Sequence, residues 1–207
     1  APRGTLEKDD GNFDINGTFT HNNGKVVFNS GDTTLDFTPN GATFFDIDVT
    51  PTAGEQVKLL ENLTVLGTLD LTGSNSYFDM DPSNNAVTLT LGDADNQGTL
   101  DVNTVNTFRI RAHATRAVTI TGHSAIQSGI ILGTDWHWYA VDDDAGVTLA
   151  YLDFTPVAIG TGGGGVLITL TGDCKFGSFY LDANDTLDIN GQRMECSGTL
   201  TNNGTID

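Results

Sequence analysis

The sequence predicts an all-β chain wound into a parallel β-helix, a solenoid forming one domain over residues 1–207. Three observations carry this expectation. Apolar and polar residues alternate with period two in short segments along the whole chain. Gly, Asn and Asp punctuate those segments. Several phrases recur, as they do when each short repeat buries its neighbour's face. An antiparallel β-sandwich is the alternative, because Asn-Gly pairs also close hairpins.

The strands are read in order. Phe13-Asp14-Ile15, Lys25-Val26-Val27-Phe28 and Phe45-Asp46-Ile47-Asp48-Val49 open the series. Leu63-Thr64-Val65-Leu66, Thr68-Leu69-Asp70-Leu71-Thr72 and Val87-Thr88-Leu89-Thr90-Leu91 follow. Val118-Thr119-Ile120-Thr121 and Thr186-Leu187-Asp188-Ile189 complete it. Each alternates and is rich in β-branched, aromatic or leucine side chains, which suits a half-buried strand. Asn-Gly at Asn16, Asn23, Asn40, Asn190 and Asn203 marks turns, since both residues tolerate positive φ. The one helical candidate spans 53–62. Its apolar Val57, Leu59 and Leu60 fit a strand equally well, and a strand is the reading adopted.

Composition agrees. Of 207 residues, 25 are Gly and only 17% are charged, a turn-rich all-β profile. Lys and Arg number 9 against 27 Asp and Glu, a net charge of −18. That charge opposes nonspecific binding to nucleic acid or to an anionic membrane. No run approaches the roughly 18 consecutive apolar residues of a spanning helix. The chain opens Ala1-Pro2-Arg3, without Met or an apolar leader, so it reads as a processed chain or a piece of a longer one.

Three pairs of phrases echo one another. Phe13-Asp14-Ile15-Asn16-Gly17 matches Leu187-Asp188-Ile189-Asn190-Gly191. Gly17-Thr18-Phe19-Thr20-His21-Asn22-Asn23-Gly24 matches Gly198-Thr199-Leu200-Thr201-Asn202-Asn203-Gly204. Gly67-Thr68-Leu69-Asp70-Leu71 matches Gly98-Thr99-Leu100-Asp101-Val102. At roughly 20–25 residues per coil the chain makes about nine coils, a stack about 40 Å long.

These phrases carry a resemblance. The segment Gly17–Asn29 and the run Phe44-Phe45-Asp46-Ile47 … Val57-Lys58-Leu59-Leu60-Glu61-Asn62-Leu63-Thr64-Val65-Leu66-Gly67-Thr68-Leu69-Asp70-Leu71 are similar to the degenerate strand repeats of large secreted bacterial surface proteins. The resemblance covers about 12–102 and 176–207, and is poor over 103–172. It implies a right-handed parallel β-helix in an extracellular or cell-surface, adhesin-like setting. Asp46 and Asp48 stand where that pattern usually has Asn and Thr.

The spacing between Cys174 and Cys196 is close to one coil. Equivalent positions on stacked coils sit about 5 Å apart, within disulfide range. The expectation is a cross-link, worth roughly 3 kcal/mol and suited to an oxidising compartment. The alternative is two free buried thiols.

Acidic residues cluster at Asp9-Asp10, Asp46/Asp48, Asp79/Asp81, Asp93/Asp95, Asp142-Asp143-Asp144 and Asp182/Asp185. Hard cations take several oxygen ligands at turns, so calcium is the candidate cofactor. Asp142, Asp143, Asp144, Asp79 and Asp81 are its first candidate ligands. Against this, Asp favours turns and a solvated surface without any metal.

Arg109, Arg111, His113 and Arg116 form a basic island, and the first three alternate onto one strand face. It suits an acidic patch on a second copy, an acidic polysaccharide, or local pairing with nearby Asp. Trp136, Trp138 and Tyr139 lie in the only aromatic-dense run. They suit sugar stacking or an interface; equally, the two Trp share one face and fill the core. Gly122-His123-Ser124-Ala125-Ile126 lacks the final Gly of a nucleophile elbow. No phosphate loop or metal-spaced His/Cys set occurs.

The expected function is therefore non-catalytic. The chain reads as the building block of an extracellular fibre, which either continues into more repeats or stacks head-to-tail on copies of itself. A carbohydrate-binding adhesin or spike-like module is the alternative, and polysaccharide cleavage ranks below it.

Overall fold

The structure, a computed structural model, describes residues 4–29, 34–50, 56–71, 77–80, 86–102, 108–110, 118–124, 128–132, 136–137, 146–160 and 165–207. The strand Lys25–Phe28 shows how it is built. Val26 and Phe28 are buried, while Lys25 and Val27 lie on the other face. The strand pairs in parallel with Thr5–Lys8 on one side and Asp46–Val49 on the other. Parallel neighbours cannot be joined by a tight turn, so the chain must travel round before it returns. It does so through two more strands. Asp46–Val49 is followed by Gln56–Leu59 and Leu63–Val65, and only then by Thr68–Asp70, which lies beside Asp46–Val49.

Repeating that circuit gives three sheets. The first sheet has a path of nine strands, from Thr5–Lys8 to Met194–Cys196. The second holds five strands, from Phe13–Asp14 to Phe108–Ile110, and the third holds eight, from Thr43–Phe44 to Thr205–Ile206. Every pairing among the described strands is parallel. The chain is thus a parallel β-helix, and the antiparallel sandwich is excluded. Segment 53–62 contributes the strand Gln56–Leu59, and no helix occurs among the described residues.

The coil changes shape along the stack. It is short at the start, where Thr5 pairs with Lys25 and Lys25 with Asp46. In the middle it is half as long again, for Leu69 pairs with Leu100 and Leu100 with Ile130. It is short once more where Cys174 pairs with Met194. In this later half, long strands turn the corner that two sheets made before. Leu152–Gly160 and Cys174–Leu181 pair through their first halves with strands of the first sheet. Their second halves pair with Trp136–His137 and Leu200–Asn202. A register shift between Phe154 and Ala158 marks the bend.

Inward residues stack on their equivalents one coil away. Val87, Val118, Val147, Ile168, Leu187 and Ile206 form one line, buried except at its final member. Near the beginning the core is aromatic. Phe28 and Phe37 have ring centroids 4.9 Å apart, and Phe37 and Phe44 meet edge-on at 5.5 Å. Phe154 and Phe176 stack at 5.0 Å near the other end. Such contacts add about 0.5–1.5 kcal/mol per pair beyond burial.

Corners interrupt the ladders, and side-chain oxygens replace the missing acceptors. Asp46 Oδ1 accepts the Thr68 N–H at 2.8 Å, and Asn62 Oδ1 accepts the Thr88 N–H at 2.9 Å. Asp173 Oδ1 takes the Arg193 N–H at 2.9 Å, and Ser178 Oγ the Thr199 N–H at 3.0 Å. Each donor sits one coil onward. Gly67 leaves room for Asp46 Oδ1, which a Cβ there would meet. Of the five Asn-Gly pairs, Asn23, Asn40 and Asn190 adopt positive φ, at 55°, 51° and 49°.

Phe37 is wholly buried and touches three other rings. Phe37→Ala is expected to cost about 3–5 kcal/mol. Leu200→Ala, on a half-exposed side chain, is expected to cost under about 1 kcal/mol. Denaturant titration of both variants checks the contrast.

Candidate assembly interface

The first and last described coils carry apolar side chains that are only partly covered. At the first coil these are Leu6, Phe13, Ile15 and Phe19. At the last they are Met194, Cys196 and Ile206, with Leu200 exposed at 47%. Leu200 pairs in register with Phe179, which is 1% exposed. It therefore stands on a core line and is exposed because no described coil covers it. Thr5–Lys8 and Met194–Cys196 terminate the first sheet, each paired along one edge only among the described strands. Such edges accept another strand.

The outer face of the first sheet carries a ladder of carboxylates. Asp48 pairs with Asp70, and Asp70 with Asp101. Neighbours on such a ladder stand about 4.8 Å apart. Lys25 answers from the first-coil side, with Nζ 2.7 Å from Asp48 Oδ2. That hydrogen bond raises the Lys25 pKa against partial burial, and the charges of Asp48, Asp46 and Asp70 add to it. At the far end Asp101 is pushed above the ordinary carboxylate value, first by burial and then by the charge of Asp70. One oxygen each of Asp70 and Asp101 is buried without a hydrogen bond from the described residues.

The second sheet shows the opposite arrangement. Asp36 pairs with Lys58, Lys58 with Asp79, and Asp79 with Arg109. The signs alternate along this line. Asp79 is fully buried, and its register neighbours on both sides are basic. Two features separate in sequence, an acidic candidate ligand and a basic candidate docking residue, are thus register partners. Asp81, Asp142, Asp143 and Asp144, expected with Asp79 as calcium ligands, lie outside the described residues, as do Arg111, His113 and Arg116. No group of three His, Cys, Asp or Glu among the described residues is placed to hold a metal ion.

Other acidic clusters are consumed by their own turns. Asp93 Oδ1 accepts the N–H groups of Asp95 and Asn96, at 2.9 and 2.8 Å, and the Asn96 side-chain amide. The Asp95 N–H foremost holds the Asp93 carboxyl below its usual range. Asp188 Oδ1 accepts the Asn190 N–H at 2.8 Å, and Asp10 Oδ1 the Gly11 N–H at 2.8 Å. Asp185, 1% exposed, accepts the Val166 N–H from the preceding coil at 2.8 Å. These are corner and turn residues.

The expected disulfide is corrected. Cys174 and Cys196 are both free thiols. Cys174 pairs with Met194, whereas Cys196 pairs with Phe176. The coil here is shorter than the spacing of the two cysteines, so they are displaced from each other along the strands. That puts their Cα atoms about 8 Å apart by strand geometry, beyond disulfide reach. Burial pushes the Cys174 thiol up to about 11.

Trp136 falls on the register line of Ile159, Phe179 and Leu200, of which Phe179 is a core residue. Trp138 and Tyr139 lie outside the described residues. Nothing in the sequence marks the end-coil residues Leu6, Phe13, Phe19 and Leu200 as a site. Their alternation is visible in the sequence, but their position at the ends is a matter of register.

Because the folded state raises the Asp101 pKa, it binds that proton more tightly than the unfolded chain. Asp101 therefore contributes stability in acid, which is lost as pH rises through its folded pKa. Asp101→Asn is expected to match the parent in acid and to exceed it in stability once pH passes above the carboxylate range. Thermal melts of both proteins, taken from below to well above that range, check this. No protein-family model, curated protein or solved structure matches this chain.

Proposed function

We propose that this chain is a non-catalytic structural module of an extracellular fibre, built by adding coils to the open ends of the solenoid. The observation that carries this reading is Leu200. It lies in register with buried Phe179 yet is 47% exposed, so the core line continues to the surface at the last coil. The first coil offers Leu6, Phe13, Ile15 and Phe19 in a similar, partly covered condition. A heterologous end-to-end contact does not close on itself, so it produces filaments.

The acidic surface supports the same reading. A net charge of −18 opposes sideways association of such rods, while Leu6, Phe13, Ile15 and Phe19 at one end and Leu200 at the other offer apolar surface. The coil turns carry Asn, Asp and Gly whose polar atoms serve the backbone, which suits a scaffold.

Purified protein is expected to form regular filaments in negative-stain electron microscopy. Deletion through residue 15, which removes the first-coil strands Thr5–Lys8 and Phe13–Asp14, is expected to abolish them while preserving the β-sheet circular dichroism. Discrete particles from the intact chain at every concentration would overturn the proposal. Filaments that dissolve in a calcium chelator would add metal-linked contacts to it.

A further inference from the structure

Resting on that reading, we infer that the occupant of the last coil is the first coil of a second copy, with strand Thr5–Lys8 docked in parallel on Met194–Cys196 in one register. This register lays Thr5 beside Glu195 and Leu6 beside Cys196.

Three observations lead there. The first is continuity of the ladder. Lys25 follows Thr5, Asp46 follows Lys25, and Asp153, Lys175 and Glu195 close the same line without a slip at either end. Carrying it one strand further puts Thr5 next. A one-residue slip would turn the apolar set outward, so the register is strongly specified.

The second is coil size. The opening steps, Thr5 to Lys25 and Lys25 to Asp46, are short and nearly equal. The closing steps, Cys174 to Met194 and Phe179 to Leu200, repeat those lengths. The middle steps, Leu69 to Leu100 and Leu100 to Ile130, are half as long again. The opening and closing coils therefore match each other in length, and neither matches the middle.

The third is the chemistry of the facing residues. Leu6 meets Cys196, both partly buried and packed against the core. Thr5 meets Glu195 and Glu7 meets Ser197, so no charge is laid over a like charge in this strand pair. Lys8 shares the inward face of its strand with Leu6, in register with buried Phe28, and falls at Gly198, where no side chain opposes it, so this register covers one charged side chain at the joint. Phe13 and Leu200 bring apolar surface to the joint on the adjoining face.

Cys196 provides the test. Adjacent parallel strands hold paired residues within disulfide range, and buried Cys174 has a thiol too weakly acidic to compete. Under mild oxidation Leu6→Cys is expected to convert most chains into a ladder of covalent oligomers on non-reducing gels. Peptide mapping is expected to find residue 6 joined to Cys196. Adding Cys196→Ser should remove the ladder, and Glu7→Cys should not form it. In the parent protein, amide exchange over residues 5–8 and 194–196 should slow together as concentration rises, which needs no variant.

The outcomes separate the two levels. Filaments from the parent without the link between residues 6 and 196 in the variant, or with residue 6 joined to residue 6, overturn this register and leave end-to-end stacking standing. Absence of filaments, cross-links and concentration-dependent protection overturns both.

Discussion

A single coil of this chain cannot bury its own apolar side chains. Val26, Ile47 and Leu69 each lie at the centre only because an equivalent residue stands above or below it. The governing constraint is therefore coil-on-coil register. It makes the backbone ladders continuous, sets the inward lines of Val, Leu, Ile and Phe, and decides which polar residues meet outside. Stability in such a stack is a sum of neighbour interfaces. Among the described strands, Thr5–Lys8 and Met194–Cys196 at the two ends of the first sheet are paired along one edge only.

The corners show how costly the same constraint is elsewhere. Where the chain bends, backbone N–H groups lose their ladder partners, and a buried donor without an acceptor costs about 1–3 kcal/mol. Asp46, Asn62, Asp173, Ser178 and Asp185 each supply a side-chain oxygen to the neighbouring coil. This accounts for part of the Asp and Asn content without invoking a ligand. At Asp46 the task is one that Asn would perform equally. Register also makes costs. Asp48, Asp70 and Asp101 are brought into one column, with Lys25 answering Asp48 at one end.

Much of the fold was legible along the chain. The alternation of Lys25–Phe28, Val87–Leu91 and Thr186–Asp188 predicted strands that exist. The echo between Gly67–Leu71 and Gly98–Val102 turned out to be spatial, because Leu69 sits directly on Leu100. The echo between the two ends did not. Phe13 belongs to the second sheet and Leu187 to the third, so similar phrases occupy different sides of the coil. The disulfide failed for a related reason. The gap between the cysteines matches a coil only where the coil has that length. The coil that pairs Cys174 with Met194 is shorter, and the one that pairs Leu69 with Leu100 is much longer.

The sequence by itself determined the strand content, the absence of a spanning apolar helix, the acidic surface and the positions of most turns. These are local properties, set by side-chain alternation, composition and the tolerance of Asn and Gly for positive φ. Only the tertiary structure decided which strand lies beside which. That choice placed Asp79 between Lys58 and Arg109 in register, separated Cys174 from Cys196, and left Leu200 exposed on a core line. The physical reason is that register depends on the length of each corner, and corners differ by residues that alternation does not record. A small change of length in one coil moves every later side chain along its column.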